Sequence, residues 1–117
     1  MGNAINLNGS KGIRYKLNKE VFTGDYWVDG KPIFMKTIYS ATVNNDMVIA
    51  LNINRDSLVK LQATATANNT VSVTLPYSTS SGNLLEVISY DKNTITVWAN
   101  GTYKDLYVTI FYTKLGV

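Results

Sequence analysis

The stretch WVDGKPIFMKTI, residues 27–38, sets the dipeptide Asp29-Gly30 between two runs rich in apolar residues. Asp-Gly in that position supplies the two positive φ angles of a two-residue type I′ turn, a common connection in β-hairpins. We therefore predict a β-hairpin, with Asp29-Gly30 as its structural turn and Trp27 as a structural residue beside that turn. The pairs expected across the hairpin are Val28 with Lys31 and Trp27 with Pro32.

Outside a polar stretch at its start, the rest of the chain has the same β-type pattern. Apolar and polar residues alternate with period two over short runs, and turn-forming clusters separate the runs at intervals of roughly eight to twelve residues. This pattern predicts an all-β fold, a single antiparallel β-sandwich of jelly-roll-like type with about seven to nine strands over residues 13–117, after a flexible polar arm over residues 1–12. Beyond the hairpin, the predicted strands are Ile13–Leu17, Glu20–Thr23, Val48–Ile53, Leu58–Ala67, Val71–Leu75, Leu84–Tyr90, Thr94–Ala99 and Asp105–Thr113, with 76–83 as a loop.

The predicted core follows from the apolar face of each strand. The run 58–67 alternates most regularly and places Val59, Leu61, Ala63, Ala65 and Ala67 on one side. Because a face lined by methyl groups would leave a void, bulky side chains are expected to pack over its alanines. The predicted inner set is Ile38, Ile49, Leu51, Ile53, Leu61, Val73, Leu75, Ile95, Val97, Val108 and Ile110.

Composition excludes several classes of site. The chain has no cysteine and no histidine, so it lacks disulfides, thiolate or His-containing zinc sites, and the Ser-His-Asp and Cys-His forms of nucleophilic catalysis. No carboxylate pair is evidently held at catalytic distance, and no nucleophile, base and orienting group can be assembled. We therefore expect no catalytic residues, no metal site and no cofactor.

The charge pattern does not indicate a polyanion partner. Eleven basic and eight acidic residues leave a net charge of +3, and only Lys11, Arg14, Lys16 and Lys19 approach a patch. We interpret that group as an edge strand protected by its charges, so nucleic acid is not an expected partner. The start of the chain lacks the apolar run of a secretory signal, and no run of about 18 apolar residues predicts a membrane span.

Two segments carry a resemblance to a known family. The first is the pattern aromatic-x-Asp-Gly-Lys-Pro-apolar-aromatic-x-Lys-Thr-Ile, whose most diagnostic part is residues 29–38, and the second is the closing run DLYVTIFYTK, residues 105–114. Over residues 14–114 the chain resembles a small β-domain of bacteriophage and prophage tail-fibre and baseplate proteins. The resemblance implies a receptor-binding virion component that is made in the host cytoplasm without a signal peptide. It also implies a homotrimer that contacts other tail proteins.

Four residues are candidates for ligand contact. Trp98 lies on the outer face of its predicted strand. There it packs against the opposite sheet, a neighbouring loop or another subunit, or it forms a platform for a sugar ring. Tyr77 and Tyr103 fall in predicted loops, where they either cover the ends of the sandwich or contact a ligand. The side-chain amide of Asn100 can both donate hydrogen bonds to sugar hydroxyls and accept them.

These observations favour non-catalytic recognition of a glycan on the host surface by a phage tail-fibre or baseplate module. Two alternatives remain open at the level of sequence. One is a structural virion assembly or adaptor domain without a ligand, and the other is a free-standing bacterial carbohydrate-binding module. Neighbouring tail and lysis genes would favour a virion protein, whereas neighbouring glycanase genes would favour the carbohydrate-binding module.

Overall fold

Nine antiparallel β-strands and no helix are formed by the residues that the computed structural model describes, 14–91 and 93–114. The predicted all-β sandwich is therefore confirmed, whereas the predicted arm over residues 1–12 lies outside the described residues. The strands are β1 (Val21–Tyr26), β2 (Pro32–Thr42), β3 (Met47–Ala50), β4 (Leu58–Ala67), β5 (Val71–Thr74), β6 (Tyr77–Ser78), β7 (Leu84–Ile88), β8 (Thr94–Asn100) and β9 (Tyr103–Thr113).

The strands form two sheets. The large sheet has the order β1-β2-β9-β4-β5, and the small sheet has the order β3-β8-β7-β6. In the small sheet, β6, β7 and β8 are consecutive neighbours, and β3 lies beside β8. A long connection through β4 and β5 leads from β3 to β6, which gives the arrangement of a Greek key. The central strand of the large sheet is β9, which pairs with β2 from Ile33 and Thr113 to Thr42 and Lys104. Its inner side chains can be fully buried because it has a neighbour on each side.

The inner faces of the two sheets enclose the core. All eleven residues of the predicted inner set belong to it, either fully buried or packed against buried neighbours. The prediction left out Phe34, Leu85, Tyr103, Leu106 and Tyr112, which are also buried in this cluster. The alanines of β4 are buried among these larger side chains, as their small size required.

The hairpin forms with a different turn from the predicted one. Gly30 N donates to Trp27 O at 2.9 Å, and Trp27 N donates to Lys31 O at 2.8 Å, so the loop has three residues, 28–30. Within this loop only Gly30 has a positive φ, +85°, and the Asp29 carboxylate accepts a hydrogen bond from Lys31 N at 3.0 Å. A turn followed by a left-handed glycine is the usual three-residue solution. The predicted type I′ turn and its pairs were wrong, and Tyr26 rather than Trp27 lies opposite Pro32.

Two bulges shift the faces of the large sheet. Leu58 pairs with Tyr112 and Lys60 with Phe111, so one residue of β4, Val59, is extra and lies on the outer face beside Lys60. The prediction that Val59 faces the core was therefore wrong. A second bulge inserts Asp105 into β9 opposite β4, with a left-handed φ of +52°. Aspartate tolerates this conformation better than most residues.

The predicted strand Ile13–Leu17 does not form in its described part. Arg14 to Glu20 is exposed, and its strand-like contact is a single parallel bridge from Leu17 to Thr37, with Asn18 N donating to Thr37 O at 2.8 Å. A left-handed φ of +57° at Asn18 ends the pairing. Ile13 lies outside the described residues.

The Glu20 carboxylate fastens this segment to β9. One of its oxygens accepts a hydrogen bond from the Tyr112 hydroxyl and the other from Lys114 Nζ, both at 2.6 Å. Segment 14–20 is therefore held against the sandwich without being part of a sheet.

Two smaller differences concern the edges of the small sheet. The predicted loop 76–83 contains the short edge strand β6, which pairs with the start of β7. The predicted strand 48–53 ends as β3 at Ala50, because Asn52 has a left-handed φ of +52°. The buried Lys36 ammonium group caps this break by donating to the carbonyls of Leu51 and Asn52 at 2.9 and 3.1 Å.

Candidate functional site

Trp98 lies on the outer face of the small sheet, as predicted. It pairs with Glu86 of β7, is half-buried, and donates a hydrogen bond from Nε1 to the Tyr90 hydroxyl at 3.1 Å. Tyr90 is 67% exposed, so the two rings form an aromatic patch at the surface. The patch can take part in an interface or stack on a ligand ring, since both uses need an exposed aromatic surface.

The other predicted contact residues do not join Trp98 on this patch. Tyr103 is the first residue of β9 rather than a loop residue, and its ring is buried on the inner face. Its hydroxyl donates to Asn100 O at 2.9 Å, and its ring packs edge-on against half-buried Tyr77 at 6.3 Å. A Cβ on Gly101 would lie 3.0 Å from the Tyr103 hydroxyl, so the ring is tucked under that turn.

The placement of Tyr103 in a ligand-contacting loop was therefore wrong. Burial raises the pKa of its phenol, which agrees with a packing role. Asn100 is exposed at the end of β8, but its amide nitrogen donates to Gly82 O at 2.8 Å and so braces the neighbouring loop. Of the four predicted contact residues, Trp98 is the one that lies beside an exposed aromatic ring, that of Tyr90.

The structure forms a different cleft on the outer face of the large sheet. Tyr39 of β2 pairs with Tyr107 of β9, with ring centroids 4.8 Å apart and ring planes inclined by 41°. The Tyr39 hydroxyl donates to the Asp105 carboxylate at 2.7 Å. We call this group, Tyr39, Asp105 and Tyr107 with the cavity beside them, the tyrosine cleft. The cavity has a volume of about 550 Å³ and is lined by Thr64, Ala65, Thr66, Ser72, Asp105 and Tyr107.

Local structure explains why these groups meet. The antiparallel register brings Tyr39 and Tyr107 directly opposite each other, and the bulge at Asp105 turns its carboxylate toward Tyr39. The hydrogen bond to Asp105 raises the pKa of the Tyr39 phenol. The two rings are 38% and 44% exposed, which leaves part of each available to a ligand.

The tyrosine cleft combines an apolar aromatic surface with hydrogen-bonding groups. Aromatic rings provide apolar area, while the threonine and serine hydroxyls and one carboxylate provide donors and acceptors beside it. Sequence reasoning missed the site because Tyr39 and Tyr107 are 68 residues apart in the chain, and only their register makes them neighbours. From the sequence, Asp105 stood out only as the first residue of the run DLYVTIFYTK, residues 105–114.

Within 14–91 and 93–114, no group of three or more acidic side chains is placed to hold a metal ion. No helix in the same ranges could cross a membrane. Comparison of the whole chain with family models, with curated proteins and with solved structures gives no significant match.

Proposed function

We propose that this chain is a non-catalytic recognition module of a phage or prophage tail that binds a glycan on the bacterial surface. The observation that carries the glycan part is the tyrosine cleft, where the exposed rings of Tyr39 and Tyr107 lie beside a carboxylate and several hydroxyls. Sugars present apolar ring faces edged by hydroxyl groups, and this arrangement matches both features. The tail assignment rests on the resemblance of residues 29–38 and 105–114.

The lining of the cleft favours binding over hydrolysis. Among its described lining residues, Asp105 is the one carboxylate, and that group already accepts a hydrogen bond from Tyr39. Glycoside hydrolysis in its common forms needs two carboxyl groups on opposite sides of the scissile bond. A single engaged carboxylate is suited to orienting a sugar hydroxyl.

A homotrimer that contacts other tail proteins in the virion is part of the same proposal. Phe22 and Tyr26 of the edge strand β1 are 44% and 63% exposed and pack against each other at 5.8 Å. Exposed aromatic area on an edge strand supports a contact with a neighbouring subunit. Three copies would also multiply weak glycan contacts by avidity.

The deciding experiment measures binding to a panel of intact bacteria and to an array of bacterial surface glycans. Wild type is compared with Tyr107→Ala and Trp98→Ala, each checked for folding by circular dichroism. We expect Tyr107→Ala to weaken binding about tenfold, the loss of roughly 1.4 kcal/mol that is typical of truncating an aromatic contact. Trp98→Ala tests the aromatic patch, and a loss confined to this variant would move the site to the small sheet.

Wild type that binds none of the cells or glycans would contradict the recognition proposal. The structural adaptor would then be the better interpretation, because the exposed aromatics of β1 would still provide an assembly surface.

A further inference from the structure

Two more cavities lie next to the tyrosine cleft along β9. The next cavity, of about 380 Å³, shares Tyr107 with the cleft and is also lined by Tyr15 and Thr109. A third, of about 260 Å³, shares Tyr15 with the second and is lined by Lys60 and Phe111. The three cavities follow one another along the outer face of the large sheet, with the side chains of Tyr107 and Tyr15 shared between neighbours, and we call this row of cavities the groove.

The register of the sheet gives the groove its length. Tyr107, Thr109 and Phe111 alternate along the outer face of β9, opposite Thr64, Gln62 and Lys60 of β4. Tyr107 and Phe111 are four residues apart, which is about 14 Å along an extended strand, and Asp105 extends the line to about 20 Å. A groove of this length exceeds a single sugar ring and accommodates several linked rings.

The floor between the two aromatic ends is polar. Thr37 and Thr109 lie opposite each other, both buried, with their hydroxyl oxygens 2.8 Å apart, and the exposed Gln62 lines the same cavity. Segment 14–20 forms a wall, since Tyr15, Lys16 and Leu17 line this middle cavity as well. Hydroxyl and amide groups on the floor suit a hydroxylated chain and disfavour a lipid tail or an apolar helix.

The charges along the groove are balanced. Lys16 and Lys60 line it, and so do Asp25 and Asp105. The Lys60 ammonium group lies 5.0 Å from the centre of the Phe111 ring, so part of its charge is already directed to an aromatic face. A groove with two groups of each sign does not select a polyanion, and this favours an uncharged polymer.

We propose that this groove binds a neutral linear polysaccharide lengthwise, with sugar rings in contact from Tyr107 to Phe111 at the same time. The inference rests on the proposed glycan recognition and adds the form of the ligand: an internal segment of a chain instead of a terminal sugar. Affinity then depends on the number of rings, because each additional ring reaches another part of the floor.

The test uses the neutral cell-wall polysaccharide from the bacteria that wild type binds, partially hydrolysed and separated by size. Titration calorimetry compares short fragments of one or two rings with fragments long enough to cross the whole groove. We expect the long fragments to bind at least about tenfold more tightly than the short ones. Phe111→Leu, which keeps apolar bulk but loses the ring face, should bring the ratio of the two affinities close to one.

Val48→Ala is the matched control, because Val48 is exposed on the outer face of the small sheet. It should leave the ratio of long-fragment to short-fragment affinity as in wild type, and thermal denaturation should show that both variants are folded. Equal affinity for short and long fragments, or a Phe111→Leu variant with the wild-type ratio, would overturn the groove while leaving glycan recognition in place. Absence of binding to the intact neutral polysaccharide would also overturn the groove, whereas glycan recognition itself is overturned only when wild type binds none of the cells or arrayed glycans.

Discussion

The Tyr112→Phe substitution should destabilise the fold through a single hydroxyl group. Tyr112 is fully buried, its hydroxyl donates to Glu20 at 2.6 Å, and Lys114 binds the other oxygen of the same carboxylate at 2.6 Å. Removing the hydroxyl leaves the ring packing intact and takes one of two partners from the carboxylate. Because Glu20 fastens segment 14–20 to β9, the same change loosens that attachment.

The size of the effect follows from the geometry. A hydrogen bond to a charged group contributes about 1.5–3 kcal/mol to the free energy of unfolding. The Glu20 side chain is 33% exposed, so water replaces part of what the hydroxyl supplied. We therefore expect Tyr112→Phe to lower the free energy of unfolding by about 1–2 kcal/mol at neutral pH.

The dependence on pH gives a second readout. Burial works to raise the pKa of the Glu20 carboxyl, but the hydrogen bonds from Lys114 and Tyr112 outweigh it and hold that pKa below the ordinary value of 4.5. The resulting stabilisation is present above pH 4.5 and is lost as the pH falls through the lower folded pKa. The difference in stability between wild type and Tyr112→Phe should therefore be smaller at about pH 3 than at neutral pH.

At alkaline pH the stability changes in the opposite direction and falls as the pH rises. Burial first, and then the hydrogen bond to Glu20, raise the pKa of the Tyr112 phenol above its ordinary value of 10. The stabilisation from the neutral phenol is complete below pH 10 and is lost as the pH rises toward the folded pKa. Wild type should lose this part of its stability above pH 10, and Tyr112→Phe should not.

Urea denaturation at acidic, neutral and alkaline pH measures these differences. Tyr26→Phe is the matched control, since Tyr26 is 63% exposed and its hydroxyl has no hydrogen-bond partner within the described part of the chain. A Tyr112→Phe variant that matches this control at neutral pH would refute the reasoning. So would a loss of stability of the same size at all three pH values.

Three further outcomes are expected. Leu85→Ala should lower the free energy of unfolding by about 2–5 kcal/mol in chemical denaturation, because the side chain is fully buried, whereas the exposed Val48→Ala should change it by less than about 0.5 kcal/mol. Gly30→Val should lower the free energy of unfolding by about 1–2 kcal/mol in the same assay, since a φ of +85° strains a β-branched residue, and Gly30→Asn should lower it less. Equal stabilities of wild type and Gly30→Val would show that the left-handed turn is not required. Light scattering should give the mass of a trimer, and a monomer mass up to near-millimolar concentration would reject that proposal.

Local patterns in the sequence determined much of the architecture. Strict alternation over residues 58–67 predicts β4 with both of its ends, and the apolar parity of 95–97 and 108–110 predicts buried faces that the structure confirms. These predictions succeed because side chains alternate across a strand whatever its partner is. The Asp29-Gly30 dipeptide likewise predicts a hairpin, because any such turn reverses the chain.

Tertiary structure decided what depends on the partner strand. Val59 is an extra residue only relative to β9, so its place on the outer face depends on the pairing of the two strands. Bulges reverse the parity on which face assignments rest, so period-two reasoning failed at Val59. Tyr103 was expected in a loop, and only the pairing of β9 makes it the buried first residue of that strand.

The candidate site depends on tertiary structure for the same reason. Trp98 could be placed on an outer face from its own strand, since that inference needs no knowledge of a neighbour. The tyrosine cleft needs Tyr39 and Tyr107 in register and a bulge at Asp105, and these come from the pairing of β2, β9 and β4. Contacts between distant segments are set by the packing of two sheets, and a local sequence pattern does not contain that information.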